Sequence, residues 1–275
     1  RDVAASPKTA TLTVTNYAPV IAPLVLSATT INEGESVTVT GSFTDNSPRG
    51  TPAVMINWGD GTSSAARIDR GAGTFTATHR YDDGASTPVV TKYTITAAAY
   101  DETVTTNRTT TITVLNVAPT VNVVPLVDLT RTSSAFRALA YDPSRDDQAG
   151  LTYSWSVTAG GFPVSFSQNS DGTEIEITGT LSSSVIVSLV VSDNDGASSD
   201  EWKARLIVGT SVADSIDVTN TDFSSFAVDQ IIVLGLGGDD VLNASGVTSA
   251  GLRVILFGGA GDDRLFDGSG NDTIV

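Results

Sequence analysis

Thr111-Ile112-Thr113-Val114-Leu115-Asn116-Val117-Ala118-Pro119 alternates β-branched and polar residues, then stops at Asn-x-Ala-Pro. Alternation at period two marks a strand with one buried face, and a proline after it ends the ladder and opens a linker. The same phrase occurs 100 residues earlier as Thr11-Leu12-Thr13-Val14-Thr15-Asn16-Tyr17-Ala18-Pro19. A near-copy at that interval is an internal repeat of domain size.

Between the copies lie further alternating runs, at 36–43, 53–58, 75–81, 92–100 and 104–114. Turn-rich stretches such as Asp45-Asn46-Ser47-Pro48 and Asp82-Asp83-Gly84 separate them. Regularly spaced strands with such breaks predict a β-sandwich. The plan returns more loosely at 121–126, 136–141, 151–157, 174–178, 185–192 and 202–208. No amphipathic helix of useful length is predicted.

The composition narrows the function classes. Of 275 residues, 40% are hydrophobic and 17% charged, enough for buried cores and against wholesale disorder. Cysteine is absent, which removes disulfide frameworks, cysteine zinc sites and thiol nucleophiles. His79 is the sole histidine, so a multi-histidine metal site is excluded. The net charge of −16 opposes nucleic acid and anionic membrane and suits divalent cations. No apolar run is long enough for a membrane span, so insertion into a membrane is not expected. The chain opens at Arg1 inside what reads as a larger protein, so more sequence is expected upstream.

The last quarter changes character. Residues 210–275 hold ten Asp and no Glu, against two arginines and no lysine. Within it stands Gly258-Gly259-Ala260-Gly261-Asp262-Asp263-Arg264-Leu265-Phe266, which matches the nonapeptide G-G-x-G-x-D-x-U-x at every specified position. Asp267-Gly268-Ser269-Gly270-Asn271-Asp272-Thr273-Ile274-Val275 repeats it with Asp267 for the first glycine. Gly235-Leu236-Gly237-Gly238-Asp239-Asp240-Val241-Leu242-Asn243 fits with Leu236 for the second. These residues resemble the RTX, or haemolysin-type, calcium-binding repeats of exported bacterial proteins. The resemblance implies a parallel β-roll with Ca2+ between stacked turns.

Glycines allow such turns φ > 0, and the aspartate completes an all-oxygen shell that suits calcium better than magnesium. One coil holds two turns and two strands, so turns 235–240 and 258–263 are expected on the same edge. One calcium is expected between them. Asp240 and Asp263 would supply carboxylates, with Gly238, Gly259 and Gly261 in the turns that present carbonyls. Asp272 is expected to await a turn beyond Val275. The plain alternative is a Gly/Asp-rich loop without metal.

A second motif is Asn57-Trp58-Gly59-Asp60-Gly61-Thr62 followed by Thr78-His79-Arg80-Tyr81. Over residues 18–117 this resembles the PKD domain, an immunoglobulin-like sandwich, in the short form W-G-D-G-T with H-x-Y downstream. Ile56 stands where many members carry tryptophan. The second sandwich lacks Gly-Asp-Gly after Tyr153-Ser154-Trp155 and resembles a PKD-like or cadherin-like sandwich only. Weaker calcium candidates are Asp101, Asp193 and Asp195, for which the plain reading is a hydrophilic turn bonding its own backbone.

The expected architecture is all-β. Residues 1–17 read as the last strand of a preceding domain or a donor strand. Two tandem immunoglobulin-like β-sandwiches follow at 18–117 and 118–209, and then an incomplete β-roll at 210–275. As a catalytic base His79 would need a nucleophile and an orienting carboxylate in reach; the resemblance of H-x-Y to the PKD pattern implies instead a strand histidine near the domain core or edge. No H-E-x-x-H, nucleophile elbow or phosphate-binding glycine loop is present; a carboxylate pair for glycoside hydrolysis stays open, although most carboxylates sit in turns where solvation is the ordinary explanation. The resemblances imply a calcium-binding extracellular or bacterial cell-surface protein, a spacer, adhesin or fibre segment and not an enzyme. The alternative is the non-catalytic accessory region of a secreted protease or polysaccharidase whose catalytic domain lies outside this chain. Expected partners are calcium, copies of the same chain joined head-to-tail through residues 9–15, and surface polysaccharide or protein.

Overall fold

The computed structural model describes residues 10, 17–45, 53–82, 90–101, 104–126, 134–178, 181, 184–218, 228–249 and 251–275. The expected donor strand at 9–15 and most of the turns at 45–48 and 82–84 lie outside these residues. The chain divides into two compact units, Arg1–Asn116 and Val117–Val275.

The first unit is a sandwich of two five-stranded sheets. One sheet runs Val20–Ile21, Ser36–Thr44, Thr74–Arg80, Arg67–Asp69, with Val25–Leu26 also paired to Ser36–Thr44. The other runs Thr30–Asn32, Val104–Leu115, Val90–Asp101, Ala53–Asn57, Ser63–Ala65. All pairings are antiparallel except that of Thr30–Asn32 with the end of Val104–Leu115. The apolar members of the alternating runs face inward. Val37, Val39, Ile95, Ala97, Ala99, Ile112 and Val114 are all buried in one core. Gly41 continues the inward set of Ser36–Thr44 opposite Phe75. Any side chain at 41 would meet the Phe75 ring.

The second unit has a four-stranded sheet, Thr120–Leu126, Ser134–Tyr141, Glu174–Ile177, Phe166–Gln168. A seven-stranded sheet runs Phe162–Pro163, Thr152–Ala159, Val185–Ser192, Trp202–Val208, Gln230–Gly237, Arg253–Ala260, Thr273–Ile274. Its first four strands pair antiparallel. From Trp202–Val208 onward every pairing is parallel. A third sheet, Ser215–Asp217, Val241–Asn243, Arg264–Phe266, is parallel throughout. Long and short parallel strands thus alternate along the chain, joined by turns at two edges.

The regions expected to separate at 209/210 share one sheet and one compact unit. The cause lies in Gln230-Ile231-Ile232-Val233-Leu234. Ile231 and Val233 enter a core between the two parallel sheets, with Leu242, Val254 and Leu256. Ile232 and Leu234 enter the sandwich core, with Trp155, Leu189 and Leu206. A strand buried on both faces reads as a continuous apolar run. Such a strand ties two cores together. Among the described residues the one helix is Arg145–Gly150, a single loop turn capped by Ser144, whose Oγ accepts from the Asp147 N–H.

Candidate metal centre

The parallel register brings the two expected turns onto one edge. Leu236 pairs with Gly259, Gly237 with Ala260 and Val241 with Arg264. Turn 235–240 therefore lies directly over turn 258–263. Gly259 sits at φ 108°, and Leu236, in register with it, holds φ 79° without being glycine. A Cβ at Gly259 would run into the Leu236 carbonyl, and one at Gly235 into the Gly258 carbonyl and the Asp240 carboxylate. The glycines are where the backbones of successive coils touch.

The aspartates form a ladder down this edge. Asp263 Oδ1 accepts from the Asp240 N–H at 2.9 Å. Asp240 Oδ1 accepts from the Asp214 N–H at 2.7 Å. Asp214 Oδ2 accepts from the Thr210 N–H at 2.6 Å and from its hydroxyl at 2.9 Å. Beside the ladder, Asp239 Oδ1 accepts from the Asp262 N–H at 3.0 Å. Asp240 is fully buried, and its Oδ2 has no hydrogen-bond partner among the described residues. Burial pushes the Asp240 carboxyl above the usual carboxylate range; Asp263, Asp214 and Asp239 add to the rise, and the Asp214 amide opposes it. A buried carboxylate oxygen with no donor, flanked by further carboxylates, has the chemistry of a hard-cation ligand. Gly238, Gly259 and Gly261 stand in the turns around it, all at positive φ.

The sequence pattern does not announce the Asp214 rung. Residues 209–214 keep only Gly209 and Asp214 of the motif, with Ile216 at the apolar position beyond. Gly209 leads Gly235 by 26 residues and Gly235 leads Gly258 by 23, so the period is uneven. Asp272 Oδ1 accepts from the Val254 N–H at 2.9 Å, on the opposite edge. The preceding coil there offers Val254 in place of an aspartate, so Asp272 has no carboxylate above it in register.

The weaker candidates lie on segments of the chain outside the ladder. Asp101 closes Val90–Asp101 and is buried. Asp193 and Asp195 follow Val185–Ser192 and are also buried. Asp193 Oδ1 accepts from the Asp195 and Ala197 N–H groups, the local bonding of a turn.

His79 belongs to the Trp58-Gly59-Asp60-Gly61 hairpin. Its Nε2 lies 2.6 Å from Asp60 Oδ2, and its ring stacks on Trp58 and meets Tyr81 edge-on. Asp60 also accepts from the Thr62 N–H and hydroxyl. Partial burial raises the Asp60 pKa, but the Thr62 and His79 hydrogen bonds outweigh it and hold the carboxyl below its usual range. Tyr81 donates to the Trp58 carbonyl at 2.8 Å. The histidine is a strut for this turn. Trp58, Trp155 and Trp202 are all buried, so none offers an exposed stacking platform.

No protein-family model matches the chain, and no curated protein matches it. Among solved structures it is similar to the Yersinia pseudotuberculosis adhesin InvE, at 16% identity and TM-score 0.35, over 66% of this chain and 57% of that one. It is similar to the fibronectin(III)-like modules of Clostridium thermocellum CbhA, at 17% identity and TM-score 0.24, over 66% of this chain and 92% of that one. The ectodomain of mouse nectin-like molecule 4 gives 13% identity and TM-score 0.28, over 68% of this chain and 62% of that one.

Proposed function

We propose that this chain is a calcium-binding segment of an extracellular structural or adhesive protein, a spacer or fibre element at a bacterial surface without catalytic activity of its own. The observation that carries the reading is Asp240, fully buried with one carboxylate oxygen lacking a donor, between the Asp214 and Asp263 rungs. Calcium held there by Asp240 and Asp263, with backbone carbonyls of the glycine turns, cancels charge that the coil otherwise buries at a cost. Binding free energy is then folding free energy, so the parallel sheets stay loose where calcium is scarce and lock where it is plentiful. The acidic surface and the absence of cysteine fit a protein that relies on a metal instead of disulfides.

The test is thermal unfolding of the full chain and of Asp240→Asn, each with calcium chloride and with chelator. In chelator the variant is expected to be no less stable than the parent, because it removes a buried charge. At calcium a hundredfold above Kd for the ladder site the parent gains about 2.7 kcal/mol more than the variant. Equal calcium response in the two proteins contradicts the assignment.

A further inference from the structure

A second acidic group, in the sandwich part of Val117–Val275 and away from the aspartate ladder, has the same signature of carboxylates prepared for a cation. It is built by two loops at one end of the sandwich. The first follows Ser134–Tyr141 and carries Asp142 and Asp147. The second follows Val185–Ser192 and carries Asp193.

The loops are brought together by the strands that bear them. Thr152, which follows the first loop, pairs with Ser192, which precedes the second, and its hydroxyl donates to the Ser192 carbonyl. Gly150 faces Asn194 so closely that a Cβ there would lie 3.3 Å from its side chain. Within the first loop, Asp142 Oδ1 accepts from the Ser144 N–H at 2.8 Å, and Gln148 Oε1 accepts from the Asp142 N–H at 2.8 Å. This folding turns Asp142 and Asp147 toward each other, with a carboxylate oxygen of each within 4.8 Å.

The oxygens that do not serve the turns are what matter. Asp142 is 3% exposed and Asp193 6% exposed. In both, Oδ1 takes the local N–H bonds, while Oδ2 is buried with no hydrogen-bond partner among the described residues. Asp147 is fully buried. A loop that needed these aspartates only to cap its backbone would leave the second oxygen in water, where hydration is free. Here two second oxygens are taken out of water, and the neighbouring charges have the same sign. Burial drives the Asp142 carboxyl above its usual range, and both Asp147 and Asp193 push it further. Buried carboxylates of like charge set side by side, with oxygens that no donor serves, call for a counter-charge.

We propose that Asp142, Asp147 and Asp193 form a second divalent-cation site, for calcium, within the sandwich. The donor set is oxygen only, the ligands come from two loops, and the shell of six to eight oxygens that calcium accepts leaves room for water or carbonyls. The site goes beyond the proposed function: it needs neither the repeat motif nor the ladder. Of the aspartates that the sequence pattern singles out it uses Asp193 alone, while Asp142 and Asp147 stand in a stretch with no recognisable spacing.

The experiment uses the full chain and calcium chloride alone. Three proteins are titrated by calorimetry: the parent, Asp142→Asn/Asp193→Asn, and the ladder variant Asp240→Asn. The double variant is expected to lose one calcium per chain relative to the parent, while Asp240→Asn keeps this site. Hydrogen exchange is then followed in parent and Asp240→Asn proteins with calcium and with chelator. At calcium a hundredfold above Kd, exchange through local opening at 142–150 and 193–197 is expected to slow about a hundredfold in both. Unchanged stoichiometry in a folded double variant overturns the proposal. So does calcium-independent exchange of these loops in Asp240→Asn, a result that remains readable if the double variant does not fold. Loss of the ladder's calcium alone leaves this site standing, so the two assignments fail separately.

Discussion

Asp60 and His79 hold the first sandwich's hairpin together with one short bond and a stacked ring. Because the Asp60 pKa is lowered in the folded state, its contribution is fully present above the unfolded value of about 4. It is lost as pH falls through the lower folded value, since the unfolded chain takes up the proton first. Urea unfolding of the first unit at neutral and acid pH is expected to show this decline, and Asp60→Asn is expected to flatten it. His79→Ala removes the bond and the ring contact and is expected to cost about 2 kcal/mol at neutral pH. Gly259 gives a second prediction at this scale. At φ 108° and packed against the Leu236 carbonyl, it admits no side chain without moving the coil above. Gly259→Ala is expected to destabilise the parallel sheets by more than about 2 kcal/mol, read as protease sensitivity of 235–266 in calcium. These glycines and aspartates are legible in the sequence because the nonapeptide states each position outright. Asp142 and Asp147 are not, because their approach depends on a loop folding over Ser144 and Gln148, and no periodicity announces that.

At the scale of elements, the strand Gln230–Gly237 serves two cores at once. Ile232→Ala is therefore expected to loosen the sandwich although it lies among the coils, at about 2–5 kcal/mol for a cavity that cannot collapse. Val233→Ala, one residue on and facing the other way, is expected to loosen the parallel core instead. Hydrogen exchange in Val185–Ser192 separates the two, faster in Ile232→Ala and unchanged in Val233→Ala. The runs predicted at 185–192 and 202–208 have the bounds the structure gives. Alternation reports which face of a strand is buried. It cannot report that one sheet passes from sandwich to coil, because a run buried on both faces carries no alternation. The short strands Arg67–Asp69, Phe162–Pro163 and Ser215–Asp217 are also illegible, since two or three residues hold too little pattern to stand out from a turn.

For the whole molecule, calcium is proposed to decide whether the C-terminal coils are locked, while the sandwich core of Arg1–Asn116 rests on apolar burial. Head-to-tail association through residues 9–15 is a separate proposal, resting on the likeness of those residues to the strand at 109–115. A chain lacking residues 1–16 is expected to stay folded and lose assembly, and light scattering of equal size for the two chains would dismiss it. The proposed calcium dependence of the coil is tested most sharply by hydrogen exchange of the intact chain with calcium and with chelator, resolved along the sequence. Strong calcium-dependent protection is expected at 235–243 and 258–266, abolished by Asp240→Asn, with little change in the strands of residues 36–80. Equal exchange of the coils with and without calcium would contradict the proposed role of the metal.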